Sequence, residues 1–264
     1  DVKVLKALWG MERDGSLDDT LRRIKNAGYD GIEVPLDFAT PADWRTLRDA
    51  YGLDLVVRIS ADTIQTFRKQ LDMAGAYGPL LVTAHSGLDR MSFEEGCEFL
   101  IEALRFETGS GLTVAHETCR HRLFYTPWVT LSYIEEFPDI KLCADFSHWC
   151  LVCESLLQDL DHMVSAVCSR AVHIRGRVGY EQGPQVPDPR APESAARVER
   201  FETWWDAIRK ARHAHGAKTL TFTPEYGPPD SLDTLPYAQE PVADSWDICL
   251  WTAQRIRARW GTPC

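Results

Sequence analysis

The sequence predicts an α/β protein built as a single (β/α)8 TIM barrel. Three observations predict it. Short β-rich runs alternate with helix-like segments of mixed charge, giving eight strand–helix units. The chain's 264 residues suit one barrel of that kind. The rival architecture, a doubly wound open sheet, lacks its GxGxxG phosphate fingerprint after the first strand.

The strands are read at VKVLKALW (2–9), YDGIEVPL (29–36), LDLVVRIS (53–60), PLLVTAHS (79–86), GLTVAHET (111–118), IKLCADFS (140–147), SRAVHIRG (169–176) and KTLTFTPEY (218–226). Helix signals fill the gaps. SLDDTLRRIKNAG opens on a Ser cap with acidic residues in its first turn and closes on Gly28. TPADWRTLRDAYG and TPWVTLSYIEEFP both place Pro in the first turn; one stops at Gly52, the other at Pro138. SFEEGCEFLIEALRF carries a capping box, Ser92 with Glu95 three residues on. FETWWDAIRKARHAHG ends on Gly216, and the last helix runs through DSWDICLWTAQRIRARW. With no internal linker and no clear repeat, residues 1–264 read as one domain. One connection is unusual: residues 177–197, rich in Pro and Gly, follow strand 7 and so fall on the catalytic face of a barrel.

Composition excludes several classes. The apolar fraction of 44% supplies a core and argues against disorder. A net charge of −10 repels phosphate backbones, and no basic patch offsets it, so no nucleic-acid partner is expected. No apolar run reaches the roughly 18 residues of a membrane span, and no signal peptide is visible. The eight cysteines include only one CxxC, Cys150 and Cys153, whereas a zinc ribbon needs two. Reduced structural cysteines in the cytoplasm are the expectation.

Polar residues end six different strands: Glu33, His85, Glu117, Asp145, His173 and Glu225. A barrel aims all those ends at one mouth. Oxygen ligands with one imidazole suit Mn²⁺, Co²⁺, Mg²⁺ or Zn²⁺. Crowded carboxylates without a cation would repel one another. His116, next to Glu117, points the other way, toward the helices. Trp9, Phe124, Trp149, Tyr180 and Tyr226 follow or end strands; each taken singly reads first as ordinary rim packing, with apolar walls of a ligand site as the functional alternative.

GYDGIEV, AHETCRHR, ADFSHW, AVHIRGR and TPEYG together resemble the xylose isomerase-like TIM-barrel superfamily of sugar isomerases and epimerases, over nearly the whole chain. In its ketose 3-epimerases a Glu–Asp–His–Glu quartet binds Mn²⁺ or Co²⁺. The resemblance implies that Glu117, Asp145, His173 and Glu225 hold one divalent ion, Mn²⁺ foremost. Glu117 and Glu225 would double as the acid/base pair, and His148 would contact substrate oxygens. The family's substrate-contacting arginine has no exact counterpart; Arg175 and Arg177 are the nearest. Substrate contacts are expected from His148, His85, Glu33, Arg175, Arg177, Trp149 and Trp9. The implied reaction on a small carbohydrate abstracts a proton beside a carbonyl and passes through an enediolate. A lyase, either a dehydratase or a deglycosidase, shares that first step. Endonuclease IV resembles the same strand ends, but its extra histidines are missing: strand 3 ends RISAD, and the loop after strand 7 carries Asp188 and Arg190. A non-catalytic sugar-binding barrel is the remaining alternative. Homo-oligomers are common among barrels of this resemblance.

Overall fold

The computed structural model describes residues 1–11, 15–227 and 233–261. Eight parallel strands close into a barrel in sequence order: β1 (Val2–Ala7), β2 (Gly31–Pro35), β3 (Asp54–Ala61), β4 (Leu81–Ser86), β5 (Val114–Glu117), β6 (Leu142–Ala144), β7 (Ala171–Gly176) and β8 (Leu220–Pro224). Strand β8 pairs back with β1, so no sheet edge is left open. Nine helices lie among the described residues: α1 (Leu17–Asn26), α2 (Pro41–Tyr51), α3 (Ile64–Gly75), α4 (Phe93–Ser110), α5 (Pro127–Glu136), α6 (Phe146–Val152), α7 (Asp161–Arg170), α8 (Ala195–Ala214) and α9 (Ser245–Trp260). None is long and apolar enough to cross a membrane.

The caps act as the sequence signals indicate. Ser16 accepts the Asp19 amide at the start of α1, and Ser92 and Glu95 close both halves of the capping box on α4. Gly52 and Gly111 end α2 and α4 in the left-handed conformation, with φ of 60° and 70°. Gly31 serves a different need. A Cβ there would collide with the Asp54 carbonyl, so the close approach of β2 to β3 excludes any side chain.

Two apolar layers hold the barrel. Leu5, Val56, Leu81, Ala115, Cys143 and Val172 form one buried cluster. Outside the sheet, Trp44, Phe67, Tyr133, Trp205 and Phe222 pack strands against helices. Burial of side chains this size contributes about 1.5–3 kcal/mol each. His116 belongs to that outer layer, as its alternation with Glu117 requires. Its ring stacks on Phe67, and its nitrogens meet Ser86 Oγ at 2.6 Å and Glu107 Oε1 at 2.8 Å.

The structure differs from the sequence reading at three places. The sixth strand keeps only Leu142–Ala144, because Asp145 caps α6 through the Ser147 amide and turns the chain into a helix. Helices α3, α6 and α7 carry weaker sequence signals than the other six and emerge only in the structure. Helix α8 starts at Ala195, so the irregular segment after β7 spans 177–194. That segment is pinned to the mouth. Tyr226 Oη donates to the Val186 and Pro187 carbonyls, and the Gly227 amide donates to Gln185 Oε1 at 2.9 Å. The seven described cysteines are free thiols; Cys264 lies outside the described residues.

Candidate active site at the barrel mouth

Strand alternation builds the site. On each strand the inward positions are two residues apart, so β7 sends His173 and then Arg175 into the barrel, and Arg177 follows just past its end. β5 delivers Glu117, β8 is followed by Glu225, and β2 and β4 deliver Glu33 and His85. Asp145 stands at the N-cap of α6, which places His148 in the helix's first turn beside it.

Two arginines organise the carboxylates. Arg175 is buried, and each arm of its fork is used: Nη2 donates to Glu33 Oε1 at 2.6 Å, Nη1 to Glu225 Oε2 at 2.6 Å, and Nε to Glu117 Oε2 at 3.2 Å. Arg177 Nη2 reaches Asp145 Oδ2 at 2.7 Å and His148 Nε2 at 2.7 Å, and its Nη1 lies 3.1 Å from Glu225 Oε1. Since a guanidinium only donates, His148 Nε2 must be the acceptor nitrogen and Nδ1 carries the proton.

The titration directions follow from these neighbours. Burial alone would push the Glu117 carboxyl up, but Arg175 and His85 override it and hold it well below the ordinary range. Glu33 is held low in the same way by Arg175 and His173. Asp145 is different. Burial, with Glu225 and Glu117 adding to it, outweighs Arg177 and raises its carboxyl to about 6. Burial and Arg177 keep the His148 imidazole neutral. Burial raises the Cys119 thiol, so it is no nucleophile at neutral pH.

A cavity of about 320 Å³ opens above this network. Trp9, His85, Glu117, His148, Arg177 and Glu225 reach it, as do Arg58, Cys119, Arg120 and Gln185, which the sequence reading did not single out. Alternation from the buried Val56 is the signal for Arg58: two residues on, it must also face inward. His85 Nε2 sits 3.2 Å from Glu117 Oε1.

Five expected site residues lie away from that wall, among them Asp145, fully buried beneath Arg177. Arg175 and Glu33 sit beneath the cavity, locked to each other, and touch its carboxylates rather than its space. His173 lies two residues closer to the barrel floor than Arg175. Its Nδ1 meets Thr221 Oγ1 at 2.7 Å, and its Nε2 is 3.3 Å from Glu33 Oε2 yet out of line for a hydrogen bond. Trp149 is fully buried, donates to the Phe124 carbonyl at 3.0 Å and packs on Phe146, because the helical turn swings it away from His148.

The donor set accepts a divalent cation. Ligand atoms of Glu117, Asp145 and His148 lie within 4.8 Å of one another, as do those of His85, Glu117 and Cys119. Glu33, Glu117, Asp145 and Glu225 face only two guanidiniums, which leaves two negative charges in excess. Two further buried atoms wait for partners: Glu33 Oε2 and His173 Nε2 make no hydrogen bond. His173 and Glu225 belong to neither close group.

Solved structures share this architecture. A xylose isomerase-like TIM barrel protein from Mycobacterium smegmatis, in complex with magnesium, is 12% identical with a TM-score of 0.62, covering 96% of this chain and 94% of that one. The probable 3-DHS dehydratase AsbF of Bacillus anthracis is 15% identical with a TM-score of 0.60, covering 97% and 98%. An AP endonuclease, family 2, from Brucella melitensis is 16% identical with a TM-score of 0.60, covering 86% and 93%. Sugar phosphate isomerase/epimerases share the fold too. No protein-family model and no curated protein matches the sequence. At these identities the likeness establishes the fold alone, a (β/α)8 barrel.

Proposed function

We propose that this protein is a divalent-metal-dependent sugar isomerase or epimerase. The observation that carries the reading is the pairing of Glu117 and Glu225 on one cavity, from the ends of β5 and β8, with Asp145 and His148 close enough to Glu117 to share an ion. The proposed ligands are Glu117, Asp145, His173 and Glu225, with Mn²⁺ preferred over Co²⁺, Mg²⁺ or Zn²⁺. A divalent ion there supplies Lewis acidity to adjacent carbonyl and hydroxyl oxygens of a keto-sugar, which favours an enediolate. Glu117 takes the proton from the carbon beside the carbonyl, and Glu225 returns one to the opposite face. Each such transfer contributes about 10²–10⁴-fold. His85, against Glu117, passes that proton outward. Arg175 is a positioning residue: it holds both glutamates at a set spacing through one rigid fork. Trp9 walls the cavity against water. A reducing cytoplasmic setting, a small carbohydrate partner and a homo-oligomeric state complete the reading.

A lyase is the second reading. The dehydratase of the same fold supports it, and so does the His85 imidazole beside Glu117, a group separate from Glu225 that can protonate a leaving group. Incubation with Mn²⁺ and ketoses in D₂O tests both. Deuterium at the carbon beside the carbonyl is expected, and product analysis separates an epimer from an elimination product. No exchange with any ketose, together with no bound metal by elemental analysis, overturns the proposal. Abasic DNA is expected to stay uncut.

A further inference from the structure

The walls and the floor of the cavity carry opposite charge. The floor holds the excess of carboxylates described above. The wall holds arginines, although the chain as a whole is acidic, at −10. Arg122 is already committed, donating to Asp62, to Ser60 Oγ at 3.0 Å and to the Gly87 carbonyl at 3.2 Å. Arg177 is committed to Asp145 and Glu225. Arg58 and Arg120 are not. Both are half-buried and both face the cavity, and among the described residues neither guanidinium has an ion pair or hydrogen bond. They come from β3 and from the end of β5, the strands on either side of the one carrying His85. The cavity's own carboxylates cannot serve them, since Glu117 is held by Arg175 and His85, and Glu225 by Arg175 and Arg177.

A half-buried guanidinium without a counterion loses hydration and gains nothing in return. Two of them facing one cavity make a fork-shaped anion receptor, because guanidinium geometry matches carboxylate and phosphate oxygens. We propose that the substrate carries an oxyanion group, a carboxylate or a phosphate, and that Arg58 and Arg120 clamp it while its hydroxylated carbonyl end lies on the acidic floor. The volume of about 320 Å³ suits a single sugar-sized molecule with one such group. This inference rests on the sugar-isomerase reading for the identity of the opposite end only.

Calorimetric titration reads the clamp without turnover. The probes are D-fructose, 5-keto-D-gluconate and D-fructose 6-phosphate, so the charged arms separate carboxylate from phosphate. At least one charged probe is expected to bind about tenfold or more tighter than D-fructose, with Arg58→Gln and Arg120→Gln each losing about tenfold for that probe alone. In the wild-type protein, raising NaCl from about 20 to about 300 mM should erode the preference, since exposed charges are screened. That measurement stands even where a variant folds poorly. Equal affinity for all three probes, no binding of either charged probe, or an undiminished preference in the Arg58→Gln/Arg120→Gln double variant overturns the clamp. Deuterium exchange failing while the charged probe still binds through both arginines overturns the isomerase reading and leaves the clamp standing.

Discussion

Replacing Arg175 by Met tests whether a guanidinium is the internal counterion of this barrel. The side chain is buried and lies 2.6 Å from Glu33, 2.6 Å from Glu225 and 3.1 Å from Glu117. Met fills similar space but leaves three carboxylates facing one another without that charge. Removing one partner of a buried ion pair costs about 3–5 kcal/mol. At about 2–4 °C per kcal/mol for chains of this size, the melting temperature should fall by roughly 10 °C or more near neutral pH in EDTA. The pH dependence gives a second reading. In the wild type, Arg175 holds Glu33 and Glu117 low, so their contribution is present above the ordinary carboxylate value and is lost as pH falls. In the variant their folded-state values rise instead, so stability is retained in acid and lost as pH increases. The deficit should therefore be largest near neutrality and close toward about pH 4–5. Thermal melts across that range decide the matter. A variant within about 2 °C of wild type near neutrality, with a gap that does not change with pH, refutes the counterion role.

Other outcomes follow from the same geometry. Glu225→Gln should abolish turnover, by about 10²-fold or more, while circular dichroism stays that of the wild type; retained activity removes Glu225 from the proton-transfer role. Asp145, raised to about 6, contributes stability in acid that is lost as pH rises through that value. In EDTA, Asp145→Asn should thus gain stability relative to wild type between about pH 4 and pH 6.5 and level off above, and added Mn²⁺ should stabilise the wild type but not the variant; parallel melting curves would sink this. Gly31→Ala drives a Cβ into the Asp54 carbonyl and should cost about 1–3 kcal/mol in urea unfolding. An unchanged midpoint would show that β2 and β3 separate at no cost.

Much of this protein is written in local signals. The eight strands are legible because a barrel strand is a short β-rich run bounded by turn residues. The capping box at Ser92 and Glu95 is legible because it satisfies amides three residues away. Four of the six residues read as strand ends, His85, Glu117, Asp145 and Glu225, do close their strands, because a closed parallel barrel sends such ends to one mouth; Glu33 and His173 lie mid-strand and deeper. Other features depend on neighbours remote in sequence. Asp145 reads as a strand tip, yet it caps α6, and the helical turn it starts puts Trp149 in the core while His148 stays on the cavity. Arg175 reads as a substrate contact, but carboxylates 142, 58 and 50 residues away converge on it. Arg58 carries no motif at all; it matters because nothing among the described residues neutralises it. Sequence alone determined the barrel and most of the rim that bears the acids and imidazoles, since both arise from short strands alternating with helices. Only the tertiary structure decided which charges meet and which are left facing the cavity, since ion pairing depends on distances set by strands far apart in the chain.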